Sequence, residues 1–443
     1  MIPRIAPITM VLSGLATVLI TFYGAVNYIS PFYDHTYIFA WYGLIVFLDG
    51  LLWWRWDESL IFKKPREFIT LLFWSAVFWF FFEIWNLHLK NWYFVGAPHE
   101  GLWSHIEAYI DFATVLPGMF LVYRLLSRLK IPGNILTKGL PGKKMIKVSV
   151  FIGVVMLLLP MAYPDYFYPF VWGAFIFLLE PLCATYKAPS LLKDLENGKW
   201  SRIVRLLLAG LLSGGYWELC NFWSMEKWIY TVPFFSQGKL FEMPYLGFLG
   251  FPLFCVECFV MINAVYLLRG GKHWDEGLAK PIKTTLRLRT LYLVMIPIGL
   301  FIAEWSYQQM QYHTVDSHAE SLEQILKDIS PWEAATLSRK GWRYGEQVLE
   351  NWQEAKASIS TPFRSPFRQR LELAGLLHMG SANARLLESI GIHSRKELTR
   401  HEPDELFLSL NRANEELRLR RSPLMKRRII AWIAGAKRRS ALY

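Results

Sequence analysis

The chain has 443 residues and a formal net charge of +12; 53% of its residues are hydrophobic, 16% aromatic and only 19% charged. Soluble domains carry about 25% charged residues, so this chain is short of water-facing groups, and its surplus of Trp, Tyr and Phe is of the kind that collects at membrane interfaces. A disordered chain, a collagen-like chain and a disulfide-stapled miniprotein are excluded, which leaves a membrane protein with a soluble part.

Long apolar runs fill the chain up to about residue 306. Hydrocarbon about 30 Å thick requires roughly 20 apolar residues of helix, which predicts spans near 8–26, 37–54, 68–86, 108–127, 146–162, 167–186, 201–222, 246–268 and 290–306. The first span has no cleavage-like small-residue site before its polar end and reads as a retained helix. The ninth, centred on Leu291 to Ala303, is short and contains Pro297. Lys and Arg crowd alternate loops, as with Arg55, Lys63, Lys64 and Arg66, then Arg128, Lys130 and Lys138, whereas loops 27–36 and 161–168 have neither. By the positive-inside rule the N-terminus is cytoplasmic, in the inner membrane of a bacterium, with the aromatic-rich loops outside.

The stretch Glu83-Ile84-Trp85-Asn86 returns as Glu218-Leu219-Cys220-Asn221. At the same offset Pro98 matches Pro233, Glu107 matches Glu242 and Pro117 matches Pro252, while Trp41-Tyr42-Gly43 with an apolar run to Asp49 is echoed at a shorter one by Val171-Trp172-Gly173 with a run to Glu180. The first eight spans therefore read as two four-helix units, residues 1–135 and 136–270, with the same orientation because each holds an even number of spans. The expected fold class is all-α: a polytopic bundle of two parallel four-helix repeats, a basic loop and ninth span over 271–309, and a helical C-terminal module.

Carboxylates near the hydrocarbon boundary are costly unless paired or hydrated, so the acids that recur are the candidate chemistry. Glu83 and Glu218 fall at the outer ends of spans three and seven, Glu107 and Glu242 at the outer starts of spans four and eight. Asn86 and Asn221 lie three residues beyond the first pair, on the same helical face. These six residues predict a polar floor to a cavity between the halves, with Glu83, Glu218, Glu107 and Glu242 as acids, bases or charge stabilisers. Asn86 and Asn221 would orient them, and Trp92, Trp228 and Tyr230 would form aromatic walls. The plainer alternative is that the acids face outer water or cap helix starts. His88, His99 and His105 lie in the same first-half region. Histidines with carboxylates can hold zinc or iron, but no pair has helical ligand spacing, so no metal set is assigned. Asp49, Glu180 and Glu257 are the other acids at membrane depth, and Glu257 lies in a Cys255-x-x-Cys258 match within an apolar helix. Phosphate-loop, dinucleotide, esterase and zinc-protease motifs are missing, which argues against an ATP-driven pump, a nucleotide enzyme and a standard serine esterase. No cofactor is indicated.

The run Lys227-Trp228-Ile229-Tyr230, then Phe241-Glu242-Met243-Pro244-Tyr245 through Gly250-Phe251-Pro252 to Glu257, faintly resembles the membrane lycopene cyclase domains. In those, an aromatic loop precedes a Gly- and Pro-rich helix start whose glutamates protonate a polyene. The adjacent Glu pair of that pattern is replaced here by Leu253-Phe254.

From about residue 307 the chain is charged and periodic, with helical spacing over Ser321–Ile329, Pro331–Ala357 and from Leu371 onward. Residues 310–370 read as a helical linker region and 371–443 as a module. Leu376-Leu377-His378-Met379-Gly380-Ser381-Ala382-Asn383-Ala384, with Ile390-Gly391-Ile392, Leu398 and Glu402-Pro403-Asp404 beyond, resembles the helix-hairpin-helix family, whose first hairpin Gly is here His378. That resemblance implies phosphate contacts from Gly380, Arg385 and the cluster Arg420, Arg421, Lys426, Arg427 and Arg428. As an interaction module the same basic residues would instead meet an anionic protein or lipid headgroups. The basic flank before span nine favours a module outside the cytoplasm; if the short span lies in the interface instead of crossing, the module is cytoplasmic.

Three functions follow from these readings. The first is an enzyme or binder for a lipid-like or isoprenoid molecule in the bilayer, the second a duplicated transporter or ion conductor. The third is a membrane-anchored scaffold or nucleic-acid binder working through its C-terminal module.

Overall fold

The computed structural model describes residues 5–27, 29, 31–33, 35–95, 102–186, 188–224, 226–234, 238–275, 284–311, 314–315, 329–340, 342, 345–376, 379–419, 424, 426, 429–430, 432–433 and 436–437. It divides into two compact units, the first comprising residues 1–93, 102–224 and 228–312, the second 94–101, 225–227 and 313–443.

The first unit is helical. Helix α1 (Ile5–Val26) lies against α2 (Thr36–Trp56), and the short α3 (Leu60–Lys63) leads into α4 (Pro65–Leu89), strand β1 (Trp92–Val95), α5 (Leu102–Phe112) and α6 (Val115–Leu129). The order then repeats: α7 (Gly142–Ala162), the one-turn α8 (Pro164–Phe167) and a 3₁₀ turn, α9 (Ala174–Thr185), the short α10 (Leu191–Glu196), α11 (Ser201–Trp223), strands β2 (Lys227–Tyr230), β3 (Lys239–Leu240) and β4 (Met243–Pro244), and α12 (Gly250–Arg269). Helix α13 (Leu286–Gln311) follows. Among the described residues nine helical segments are long and apolar enough to cross a membrane, and α1, α7 and α13 leave most of their apolar surface uncovered by protein. Such helices suit a lipid environment, because all their backbone groups bond internally.

Hydrogen bonding makes the duplication physical. In the first half the Asp49 carboxylate on α2 accepts from Ser59 Oγ at 2.6 Å and from the Leu60 amide at 2.6 Å, and Ser59 Oγ in turn accepts from the Phe62 amide at 2.9 Å. In the second, Glu180 on α9 accepts from Ser190 Oγ at 2.7 Å and the Leu191 amide at 2.9 Å, and Ser190 Oγ accepts from the Lys193 amide at 3.2 Å. Each acid thus satisfies the orphan amides that open a short helix after its own span. This accounts for two of the membrane-depth acids. The packing repeats as well, with α2 on α6 and α4 on α6 mirrored by α9 on α12 and α11 on α12.

Glycines set the closest helix contacts. A Cβ at Gly14 would lie 2.4 Å from the Phe47 backbone nitrogen, and one at Gly210 would lie 2.4 Å from the Phe251 carbonyl oxygen, so only hydrogen fits at either place. Around these contacts a continuous core includes Trp41, Trp74, Phe82, Phe120, Trp217, Phe259 and Tyr266. At one end of the bundle Arg124 is buried between Glu58 and Asp275, with 2.5 Å to the latter. Trp274 stacks on Phe120 at 4.3 Å, which fixes the segment after α12 to the first repeat. Helix α13 has 26 residues, longer than the apolar run alone predicts, and carries Pro297 within it. It lies along α4, where Ser306 Oγ donates to the Phe80 carbonyl at 2.8 Å and Gly299 leaves room for Val77.

The second unit is also helical and contains two small cores. Ile329, Leu337, Val348, Ala355, Ile359, Phe367 and Leu371 form one, so the described residues between 329 and 371 pack on one another. A capping box of Ser330 and Glu333 opens the helix Pro331–Arg339, and Glu333 also accepts from the Ser360 amide at 2.6 Å. The other core joins Leu373, Leu376, Leu386, Leu387, Leu398, Leu406, Leu410 and Trp432. Helix Thr361–Ala374 contributes to both. The predicted helix Ser321–Ile329 lies outside the described residues apart from Ile329.

Candidate functional site

Trp79, Glu83 and Asn86 follow one another at four and three residues on α4 and so share a face. Asn86 closes the turn into β1: its Nδ2 donates to the Trp92 carbonyl at 2.8 Å, and its Oδ1 accepts from the amides of Asn91 at 3.0 Å and Trp92 at 3.1 Å. Lys90, with φ 53°, supplies the left-handed step of that turn. The turn aims the Trp92 indole back at α4, where its Nε1 donates to Glu83 at 3.0 and 3.2 Å.

The second repeat builds the same device with one substitution. Asn221 Nδ2 donates to the Trp228 carbonyl at 3.0 Å and its Oδ1 accepts from the Trp228 amide at 2.9 Å. Glu218 accepts from the Tyr230 hydroxyl at 2.7 Å, and that oxygen accepts from Trp228 Nε1 at 2.8 Å. A phenol therefore stands between indole and acid. Burial, and then the adjacent Glu218, hold the Tyr230 phenol well above its ordinary titration range, so it stays protonated and can donate. Strands β1 and β2 lie side by side, and the Thr231 amide donates to the Asn91 carbonyl at 2.7 Å.

Both devices face one cavity of about 390 Å³. Trp79 and Trp92 from the first repeat and Trp172, Trp217, Trp228 and Tyr230 from the second line it, with Phe251 and Phe254. The rings brace one another: Trp79 and Trp217 have centroids 4.9 Å apart, and Trp92 stacks on Trp172 at 5.9 Å. Tyr166, Leu246 and Leu249 also line the cavity and are exposed, so its rim is apolar.

None of the four candidate acids is among the lining residues. Glu83 and Glu218 stand one side chain behind the wall and act on the cavity through Trp92 and Tyr230. Glu107, buried on α5, is paired with His35. Glu242 sits in the turn between β3 and β4, ahead of the helix rather than at its start, and is an electrostatic neighbour of Glu218. Of the candidate walls, Trp92, Trp228 and Tyr230 all line the cavity. Trp79, Trp172 and Trp217 are not among the predicted walls, although Trp79 precedes Glu83 by one helical turn, Trp172 belongs to the repeat and Trp217 adjoins Glu218. Glu257 accepts from the Phe175 amide at 2.8 Å, inside the bundle.

The first-half histidines take separate partners. His88 Nε2 is 3.1 Å from the Met161 carbonyl, and His105 is 2.8 Å from Glu304 and stacks on Tyr307 at 4.2 Å. His99 lies outside the described residues. In the second unit Gly380, at φ 67°, opens the helix Gly380–Ser389 that carries the half-buried Arg385. Lys426 is paired with Asp404. Arg420, Arg421, Arg427 and Arg428 lie outside the described residues.

Residues 360–439 match the family described as a domain of unknown function, DUF4332. No curated protein and no solved structure matches the chain.

Proposed function

We propose that this multi-pass membrane protein binds, and as an enzyme acts on, a lipid-like molecule held in the tryptophan cavity. One observation carries the reading. The two recurring Glu–Asn pairs each position an aromatic donor, Trp92 in one repeat and Tyr230 in the other, on the wall of a single cavity. Pockets of this size with aromatic walls and few polar groups are typical ligand sites, and the exposed apolar rim suits a molecule arriving from the bilayer rather than from water. Tyr230, which lines the wall, is the group that would meet the molecule through its ring, and Glu218, which accepts a hydrogen bond from its hydroxyl, is the positioning residue behind it. Asn86 and Asn221 keep both turns in register.

A photoactivatable lipid in native vesicles tests this. Labelling of peptides that contain Trp92, Trp172 or Trp228 supports it, while labelling confined to the outward faces of α1, α7 and α13 rejects it. If the protein is an enzyme, lipid extracts from cells with and without the gene differ, and Glu218→Gln reproduces the deletion profile. A transporter reading draws on the fact that both repeats line the cavity. Flux of the labelled molecule into vesicles with no new lipid product would favour it.

A further inference from the structure

Resting on the cavity reading above, we infer that the bound molecule carries a poorly hydrated organic cation, of the quaternary ammonium type. Five indoles, those of Trp79, Trp92, Trp172, Trp217 and Trp228, line the cavity. The face of an indole is the most favourable aromatic surface for a cation, and the attraction grows when the site is desolvated. The indoles are also polarised in that sense. Trp92 donates its N–H to Glu83, and Trp228 donates to a phenol oxygen that itself donates to Glu218. Donating the N–H to an acceptor leaves more electron density on the nitrogen and so on the ring.

The electrostatics behind the wall point the same way. Glu83 and Glu218 are buried, and the side chains that donate to them are an indole, an amide and a phenol, all neutral. The charged neighbour of Glu218 is Glu242, another acid. A carboxylate in a low-dielectric wall is stabilised by a positive charge close to it, and a cation in the cavity would provide one through one layer of rings. No Lys, Arg or His is among the described lining residues, so a phosphate or carboxylate group would find no base on the wall and two acids behind it. The mostly hydrocarbon wall in turn disfavours a strongly hydrated ammonium or metal ion, which would lose its water without replacement.

Two matched probes test the idea on the purified full-length protein in detergent. Benzyltrimethylammonium and its neutral carbon isostere, neopentylbenzene, have nearly the same shape and differ in charge. Quenching of tryptophan fluorescence should give a Kd about tenfold lower for the cation than for the isostere. Glu83→Gln and Glu218→Gln together should shrink that ratio several-fold, with circular dichroism confirming the fold. Trp228→Phe, which keeps an aromatic face but loses the donated hydrogen bond, should shrink it as well. Equal affinity for the two probes would overturn the cation inference while leaving an apolar ligand site intact. Binding of neither probe would also overturn the inference, and the photolabelling experiment would then decide the cavity reading separately.

Discussion

Asp49 and Ser59 share a 2.6 Å hydrogen bond that ties the middle of one span to the helix start after it. Glu180 and Ser190 repeat that relation at 2.7 Å in the second half, with a longer acid and a slightly longer bond. The serine in each case caps its own short helix, so removing it breaks two bonds at once. Ser190→Ala should therefore lower stability by about 1 kcal/mol, the usual worth of such a cap. Glu180→Ala should cost more, since it strips the acceptor from Ser190, Leu191 and Leu192 together. Thermal unfolding in detergent, read as the shift in apparent Tm for each variant, checks both the size and the order.

The α11–α12 contact depends on what Gly210 lacks. Its missing side chain leaves the Phe251 carbonyl 2.4 Å and the Cys255 Cβ 2.8 Å from where a Cβ would sit. Gly210→Leu should separate the two helices, lower Tm and distort the cavity wall, because Phe251 and Phe254 lie on the same stretch of α12. Gly215→Leu, on the same helix but with open space around its Cβ position, should leave both Tm and tryptophan fluorescence near their original values.

The repeat was legible where residue identity survived duplication and hidden where only chemistry did. Glu83 with Asn86 and Glu218 with Asn221 stood out because both members of the pair recur at the same spacing. Asp49 and Glu180 perform one task as different residues: the echo of Trp41-Tyr42-Gly43 in Val171-Trp172-Gly173 aligns them, but nothing in the sequence shows the helix start that each one holds. Glu107 and Glu242 share an offset yet part company in space. The second repeat places a β3–β4 turn there, with Phe241 at φ 58°, where the first has helix α5. The cavity walls were harder still. In a chain with 20 tryptophans, nothing marks Trp79, Trp172 and Trp217 as walls of one cavity until the Asn86 and Asn221 turns bring Trp92 and Trp228 over them.

His273 offers a pH test of the segment after α12. Its Nε2 is 2.8 Å from Asn263 Oδ1, while its Nδ1 accepts from the Asp275 amide at 3.0 Å, which fixes the proton on Nε2. Burial is the main cause that lowers its pKa from the ordinary 6.5 to about 3; Asp275 opposes the shift, and Lys64 and Arg202 add to it. A base whose folded pKa is depressed takes up its proton first in the unfolded chain, so its contribution is whole above pH 6.5 and is lost as pH falls toward 3. Within that window the slope attributable to His273 is at most about 1.4 kcal/mol per pH unit. Unfolding curves of His273→Gln should be flatter over this range than those of the parent chain, the difference removing the contribution of the acids that both proteins share. Parallel curves would mean that the imidazole already carries its proton in the folded state.

Tyr230 and Glu218 separate structural from electrostatic roles on the cavity wall. Glu218→Gln leaves a carbonyl oxygen to accept from the Tyr230 hydroxyl, so the relay from Trp228 persists while the acid is gone. Tyr230→Phe instead deletes the hydroxyl between two buried polar groups, leaving the Trp228 N–H and the Glu218 oxygen to find other partners. A stranded buried polar group costs about 1–3 kcal/mol. Tyr230→Phe should therefore lower Tm clearly, and Glu218→Gln only slightly. Ligand affinity should fall in both, since one removes the acid behind the wall and the other breaks the link from Trp228 to that acid. If Glu218→Gln destabilised the fold as much as Tyr230→Phe, the acid would be a structural acceptor, and its place behind the cavity would say nothing about binding.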